Sequence, residues 1–208
     1  PRVKEKNIIR LDANEVAQLI DNIESGEKLT KQQKVWHERN KARDLAIVVT
    51  LLGTGVRVTE LVGLDLSDLD FDNGAMRVIR KGGNEDIVYF GEETEEMLRN
   101  YLDERMKMTP APGHENALFI SQNNTRITVR SVERLVKKYA STATVKKITP
   151  HKLRSTYGTA LYQETGDIYL VADVLGHKNV NTTRKHYAAM KEENKRKAAN
   201  IVQLREKE

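Results

Sequence analysis

The stretch "AMRVIRKGGNEDIVYF", residues 75–90, changes the period of an otherwise helical sequence. Two extended runs flank "KGGN", whose glycines suit a tight turn, so the stretch predicts a β-hairpin with a glycine-rich tip. The apolar run "ALFI" (117–120) is a candidate third strand. Together they predict a fold that is mainly α with a small antiparallel β-sheet of about three strands.

Apolar residues at helical spacing occupy most of the remaining chain. One helix, 39–55, is apolar enough to be buried and is predicted to stop at Gly53 and Gly55. The stretch before it, 27–40, is polar and is predicted to be a loop. The other predicted helices cover 11–26, 92–106, 128–142 and 149–166, with shorter ones in "TELVGL", "IYLVADVLG" and "NTTRKHYAAM".

The 208 residues are enough for one sizeable domain or two small ones. We expect one compact domain over 11–190, preceded by a linker, 1–10, and followed by a charged tail helix, 191–208. The chain starts at Pro1 without a methionine, so we expect a fragment of a longer protein. The apolar stripe of the tail is too narrow for a lone helix in water and needs a groove to bury it.

The composition favours a polyanionic partner. Lys and Arg number 35 against 30 Asp and Glu, which gives a net charge of +5 and a pI of about 9.3, although ordinary soluble proteins also show such an excess. The lack of cysteine excludes disulfides, thiolate zinc sites and cysteine nucleophiles, and it fits a reducing cytoplasm. No apolar run approaches membrane-spanning length, so no membrane partner is expected.

The motif "TPHKLRSTYGTA" (149–160) combines three groups that favour an anion. Thr149 suits the N-cap and Pro150 the first helical position, so His151 falls in the first turn, where free N–H groups favour negative charge. Arg154 is three residues further on and shares a face with His151. This is a phosphate-binding arrangement. Taken alone, it also fits a solvated helix start with a capping histidine.

Five further residues could take part in chemistry, and each has a structural alternative. Arg57 follows the buried helix, where Glu60 could orient it toward an anion or simply pair with it. Lys81 at the hairpin tip also fits a solvated turn lysine, His177 a satisfied turn histidine, and Tyr187 a core aromatic. The chain has no HExxH, GxSxG or GxxxxGK[ST] motif, and its histidines show no metal-ligand spacing.

The order and the sequence contexts of six of these residues resemble the pattern found in the catalytic domain of the tyrosine recombinases, also called phage integrases. They are Arg57 in "TGVRVTELVGL", Lys81 in "IRKGGNED", His151 and Arg154 in "HKLR", His177 in "LGHKNVNTT", and Tyr187. The resemblance covers roughly residues 39–190. The chain departs from the family at one point. Tyr187 follows His177 by ten positions rather than the commoner nine, where His186 stands, and one extra residue rotates a helical side chain by about 100°.

The resemblance implies DNA cleavage and rejoining without a metal or other cofactor. Tyr187 would be the nucleophile and would form a 3′-phosphotyrosyl link. Arg57, Arg154 and His177 would hold the charged transition state.

The same resemblance assigns the two proton transfers and the partners. His151 would take the phenol proton, and Lys81 would protonate the leaving 5′-oxygen. The expected substrate is double-stranded DNA attachment sites of a phage or conjugative transposon, in the cytoplasm of a bacterial host and associated with its nucleoid. We expect a monomer when free and a tetramer on DNA, with the tail docking on a neighbouring subunit and the N-terminal DNA-binding domain or domains absent from this chain.

The basic side of the 128–142 helix is the expected DNA surface. Arg130, Arg134 and Lys138 are candidates for groove contact, and Lys178 for a phosphate contact, although a solvated face fits the same pattern. Two alternatives to a recombinase remain at this point: a relaxing enzyme like the type IB topoisomerases, and a catalytically idle DNA-binding module.

Overall fold

A three-stranded antiparallel sheet interrupts a helical chain in the computed structural model, which describes residues 9–187 except the side chains of Lys185 and His186. The fold class predicted from the sequence is confirmed. The chain forms two compact units, one ending at Tyr157 and the other beginning at Gly158. The predicted tail helix, 191–208, and most of the predicted linker, 1–10, lie outside the described residues.

The first unit holds five helices, the sheet and the start of a sixth helix, and the second holds the rest of that helix and the last two described. In chain order the elements are α1 (Ala13–Ser25), α2 (Lys31–Thr54), α3 (Val58–Gly63), a 3-10 turn (Leu66–Asp68), β1 (Leu69–Asp70), β2 (Ala75–Ile79), β3 (Glu85–Tyr89), α4 (Glu92–Arg105), α5 (Val129–Ala143), α6 (Pro150–Thr165), α7 (Ile168–Val174) and α8 (Val180–Tyr187). Within residues 9–187, no helix is both long and apolar enough to cross a membrane.

Helix α2 supplies the centre of the first unit's core, because every residue from 44 to 51 is buried. It ends where the sequence predicts, at Gly55, whose φ of 65° is the left-handed conformation that glycine adopts without strain. Apolar residues of α1, α4, α5 and the sheet join the same core. This packing fixes the end of α2, and therefore the turn that carries Arg57.

The predicted loop over 27–40 is wrong from Lys31 onward, because α2 starts there. The Thr30 hydroxyl accepts a hydrogen bond from the N–H of Gln33, and the Gln33 side chain accepts one from Thr30, which together form a capping box. The stretch is polar because this half of the helix is largely exposed. His37 is an exception at 1% exposure, and its Nε2 lies 2.7 Å from the Ile23 carbonyl oxygen.

The hairpin forms as predicted, with β2 and β3 paired from Ala75↔Tyr89 to Ile79↔Glu85. The third strand is not the predicted 117–120. It is the two-residue β1, which pairs with the start of β2. Residues 117–120 are fully buried but make only isolated bridges, because the Leu118 N–H bonds to the Leu64 carbonyl and the Ile120 N–H to the Tyr101 hydroxyl.

Candidate active site

Arg57 stands at the N-cap of α3, two residues after Gly55, the C-cap of α2. Its backbone N–H and its Nη1 both donate to the carboxylate of Glu60, each at 2.8 Å. Glu60 is buried, whereas the Arg57 side chain keeps 34% of its surface exposed. The carboxylate of Glu60 thus fixes one side of the Arg57 guanidinium and leaves part of the group accessible to an anion from solvent.

Arg80 is a site residue that the sequence reasoning missed. Its Nη1 donates at 3.0 Å to Oε2 of Glu60, the oxygen that also accepts the Arg57 backbone N–H, and its Nε donates to Asp86 at 2.9 Å. The side chain is 10% exposed, so it is nearly as enclosed as its carboxylate partner. No periodicity or motif distinguishes Arg80 from other hairpin arginines, and only the tertiary contact with Glu60 reveals it.

Lys81 follows Arg80 and lies exposed at the hairpin tip, where the sequence placed it. Gly82 and Gly83 take φ values of 97° and 83°, which only glycine adopts readily. The Arg80 N–H donates to the Asn84 carbonyl at 2.7 Å and closes the tip. Lys81 is therefore a solvent-accessible ammonium beside an anchored arginine.

Helix α6 begins as predicted, with Pro150 in the first position. The Thr149 hydroxyl accepts from the Lys152 N–H at 3.4 Å, and His151 is exposed in the first turn. Arg154 is 5% exposed, and its Nη1 donates to the Gly55 carbonyl at 2.5 Å. The first unit thus brings Arg154 beside the turn that carries Arg57.

His177 is fixed by the way α7 ends. The Gly176 N–H donates to the Asp173 carbonyl and the His177 N–H donates to the Ala172 carbonyl, both at 2.8 Å, which is the Schellman pattern. The ring nitrogen Nδ1 lies 2.7 Å from the hydroxyl oxygen of Thr183, which is fully buried. The imidazole is therefore held by α7 through the backbone and by α8 through Thr183.

Tyr187 is the last described residue of α8 and lies four residues after Thr183, hence on the same face of the helix. The side chain is 5% exposed, and its ring packs on Tyr162, with centroids 5.4 Å apart at an interplanar angle of 45°. Its hydroxyl lies against Gly158 of α6. The second unit thus contains His177 and Tyr187, both positioned through Thr183, a residue the sequence reasoning did not single out.

A groove of about 380 Å³ lies between α2, α5 and the loop 121–123. Its cationic lining comprises Arg43, Arg134 and Lys138. The buried carboxylate of Asp44 lies among them, accepting a hydrogen bond from Arg43 at 2.8 Å and lying 3.6 Å from Lys138. Desolvation lowers the pKa of Lys138, against the opposing effect of Asp44.

Of the residues predicted to contact DNA, Arg130, Arg134 and Lys178 are exposed and Lys138 is half-buried. Lys138 therefore lies in the wall of the groove rather than on a solvated helix face. Arg43 joins this surface from α2 and was not predicted. Among the described residues, no group of three or more His, Asp or Glu side chains is arranged to hold a metal ion.

The family model for the phage integrase family matches residues 9–194. The chain therefore belongs to the phage integrase family, and the resemblance drawn from the six motif residues is confirmed. The tyrosine recombinase XerC of Corynebacterium glutamicum is 42% identical over 148 residues, which are 71% of this chain and 47% of that protein. The chain spans about half the length of the curated relatives it matches.

Solved structures give the same fold. The crystal structure of XerA recombinase matches with a TM-score of 0.75 and 30% identity, over 95% of this chain and 66% of that one. A post-cleavage complex of the XerH site-specific recombinase with a palindromic difH substrate matches with a TM-score of 0.73 and 24% identity, over 94% of this chain and 54% of that one.

Proposed function

We propose that this chain is the catalytic part of a site-specific DNA recombinase that cuts and rejoins DNA through a 3′-phosphotyrosyl intermediate. The observation that carries the proposal is a pair of anchored arginines, Arg57 held by Glu60 and Arg154 held by the Gly55 carbonyl. The transition state of phosphoryl transfer carries extra negative charge, which pre-positioned donors stabilise best. Guanidinium groups suit this role because each can donate to two phosphate oxygens. Residues 11–190 are the catalytic domain in this proposal.

The chemistry begins with the phenol of Tyr187. Its oxygen attacks the scissile phosphorus while its proton passes to His151, since a phenol in water has a pKa of about 10 and needs a base at neutral pH. The bond to the 5′-oxygen breaks, and Lys81 donates the proton that this oxygen needs.

The second half of the reaction reverses the first. A 5′-hydroxyl from a partner strand attacks the phosphotyrosyl link, and its proton passes to Lys81. The bond to Tyr187 breaks, and the phenol regains a proton from His151. Arg57, Arg154 and His177 donate hydrogen bonds to the non-bridging oxygens throughout. The strand is rejoined with no net change in the number of phosphodiester bonds.

The groove between α2 and α5 is the proposed DNA contact. Arg134 and Arg130 are exposed on α5, and Arg43 adds a third guanidinium from the facing helix. Lys178 would contact a phosphate from the loop between α7 and α8. Such contacts are mainly electrostatic, so the affinity should fall steeply with salt.

The proposed partners are double-stranded attachment sites and further copies of the chain. XerH, which shares the fold, has been captured with its DNA substrate. We propose a tetramer on DNA and a monomer when free, with residues 191–208 docking on a neighbouring subunit. Truncation after Glu193 should then weaken higher-order complexes on paired sites, measured by light scattering, and leave single-site binding intact. Normal tetramers from the truncated chain would contradict the docking role.

The proposed setting is the cytoplasm of a bacterium, at the nucleoid, because that is where the substrate DNA is. We propose a phage or a conjugative transposon as the owner of the gene, and the name of the family supports the first of these. The genes that flank it test this point, since an adjoining set of capsid or conjugation genes would decide between the two.

A covalent adduct is the decisive test. The 208-residue chain is incubated with a pool of nicked duplexes of randomised core sequence, denatured, and separated from free DNA. Adducts should form with the unchanged chain and with Tyr169→Phe, which removes an exposed phenol, but not with Tyr187→Phe. Adducts that persist in Tyr187→Phe would move the nucleophile to another tyrosine.

Two other outcomes would favour the alternatives. Binding without any adduct from the unchanged chain would favour an idle DNA-binding module. Relaxation of supercoiled plasmid, with adducts but no exchange between two duplexes, would favour an enzyme like the type IB topoisomerases.

A further inference from the structure

Gly158 leaves no room for a side chain. A Cβ built on its backbone meets the hydroxyl oxygen of Tyr187 within a distance that real contacts do not show. The same Cβ would lie 3.1 Å from Cδ1 of Leu175 and 3.4 Å from Cζ of Tyr187. The tightest of the three contacts is therefore the one with the phenol oxygen.

The Tyr187 ring has little freedom to retreat from Gly158. The side chain is 5% exposed, and the ring of Tyr162 packs on it at 5.4 Å. Its backbone belongs to α8, whose rotation is held by the contact between Thr183 and His177. With the helix in place, the phenol oxygen can move away only by rotation about χ1, which is opposed by the packing of Tyr162 on the ring and by the burial of the side chain.

We infer that Gly158 is a positioning residue for Tyr187: its missing side chain makes the seat in which the phenol oxygen lies. The importance of this seat for catalysis rests on the proposed function, in which Tyr187 is the nucleophile. The seat itself rests only on packing within the second unit. An added methyl group at Gly158 should displace the oxygen, and a misplacement of about 1 Å can cost about 10²-fold in rate.

A double-mutant cycle on thermal unfolding tests the seat without any assay of activity. Alanine is a better helix former than glycine, so Gly158→Ala should stabilise α6 wherever the methyl group fits. In the unchanged background it should instead lower Tm, because the methyl group meets the phenol oxygen. In the Tyr187→Phe background that oxygen is gone, and the effect of Gly158→Ala on Tm should be more favourable by about 3 °C or more.

Chemical reactivity gives a second reading of the same displacement. In Gly158→Ala, Tyr187 should be nitrated faster by tetranitromethane than in the unchanged chain, as followed by mass spectrometry of its peptide. Tyr101, which is fully buried elsewhere, is the internal control and should keep its slow reaction. A general loosening of the fold would raise both rates, whereas loss of the seat raises only the first.

The outcomes separate the seat from the chemistry. Equal Tm changes in the two backgrounds, or loss of folding in both, would overturn the seat. The strongest support for the seat would be a Gly158→Ala variant that fails to fold in the unchanged background but folds when combined with Tyr187→Phe. Coupling in Tm, together with an adduct rate reduced about 10²-fold at unchanged DNA affinity, supports the positioning role. Coupling with an unchanged adduct rate overturns that role, and coupling without any adduct from the unchanged chain means that the proposed function fails while the seat stands.

Discussion

The guanidinium of Arg154 donates a hydrogen bond to the main-chain carbonyl of Gly55 at 2.5 Å. This contact ties α6 to the end of α2, two residues before Arg57. Arg57 is held in a different way, by the carboxylate of Glu60. A substitution of Glu60 can therefore release Arg57. No substitution of a side chain removes the main-chain carbonyl that holds Arg154.

Replacement of either arginine by alanine should lower the rate of adduct formation by about 10²–10³, the usual cost of removing one donor to a developing charge. Arg77→Ala is the matched control, since Arg77 is an exposed arginine that pairs with the partly buried Asp68 and the exposed Glu85. The rate is measured in single turnover with saturating DNA. A loss in Arg77→Ala as large as in Arg57→Ala would mean that the assay reports general charge rather than the site.

Glu60→Gln should impair cleavage although Glu60 contacts no DNA in the proposed mechanism. The amide keeps the shape of the side chain but leaves Arg57 and Arg80 facing each other without the carboxylate between them. We expect a loss of about 1–3 kcal/mol in the free energy of unfolding, because buried hydrogen-bonding groups lose their partner. Urea unfolding measures this loss, and Glu60→Asp should restore part of the cleavage rate.

Lys81→Ala should slow cleavage of an ordinary phosphodiester far more than that of a substrate with a 5′-bridging sulfur. A thiolate leaves without a proton, so the general acid is no longer needed. Arg80 anchors the base of the tip, so a change at Lys81 should leave the hairpin in place. DNA affinity is the control. Equal losses on both substrates would remove Lys81 from the acid role.

Arg134→Ala and Arg43→Ala should each weaken DNA binding and reduce the slope of log K against log salt by about 0.9, the loss of one phosphate contact. Lys107→Ala removes a lysine paired on the surface with Glu104 and should leave the slope unchanged. Fluorescence anisotropy over a range of salt concentrations gives the slopes. Because Arg43 also donates to Asp44 and to the Ile120 carbonyl, folding of its variant must be checked by circular dichroism.

Acid stability should depend on Glu15. A hydrogen bond from Lys146, at 2.6 Å, is the main cause that lowers the pKa of Glu15 from 4.5 to about 2. A lowered pKa in the folded state stabilises the fold above pH 4.5, and that stabilisation is lost as the pH falls toward 2. Both side chains are partly exposed, so the contribution should be about 1 kcal/mol or less.

Glu15→Gln should therefore flatten the curve of stability against pH between these two values. Glu104→Gln, which alters a more exposed pair, is the control and should keep the slope. An unchanged acid limb in Glu15→Gln would contradict the contribution of the Glu15–Lys146 pair.

The parts of the fold that the sequence predicted are those with strong local signals. The end of α2 is predicted by Gly55, because glycine readily adopts the left-handed backbone found there. The hairpin is predicted by its paired glycines, and the start of α6 is predicted by Pro150. The start of α2 had a local signal too, the capping box of Thr30 and Gln33, which the polarity of the stretch concealed. The run 117–120 misled because a short apolar run is equally compatible with a strand and with a buried irregular segment.

The residues missed at the site have no local signal. Arg80 is distinguished by two carboxylates, of which Glu60 lies twenty positions away. Arg43 faces the groove only because α2 packs beside α5, and Thr183 matters through its contact with His177. A motif predicts the groups that act on a substrate, whereas the groups that hold them come from the folded contacts.

The contact between His177 and Thr183 bears on the ten-residue spacing from His177 to Tyr187. The contact between Thr183 and His177 sets the rotation of α8 about its axis. Tyr187 lies one helical turn after Thr183 on the same helix. The direction of the Tyr187 side chain therefore depends on its spacing from Thr183 within α8, and not on the number of residues that separate it from His177. Descendants of this gene could gain or lose a codon in the stretch 178–180 and keep the orientation of the Tyr187 side chain. The condition is that a hydroxyl side chain stays four positions before the tyrosine.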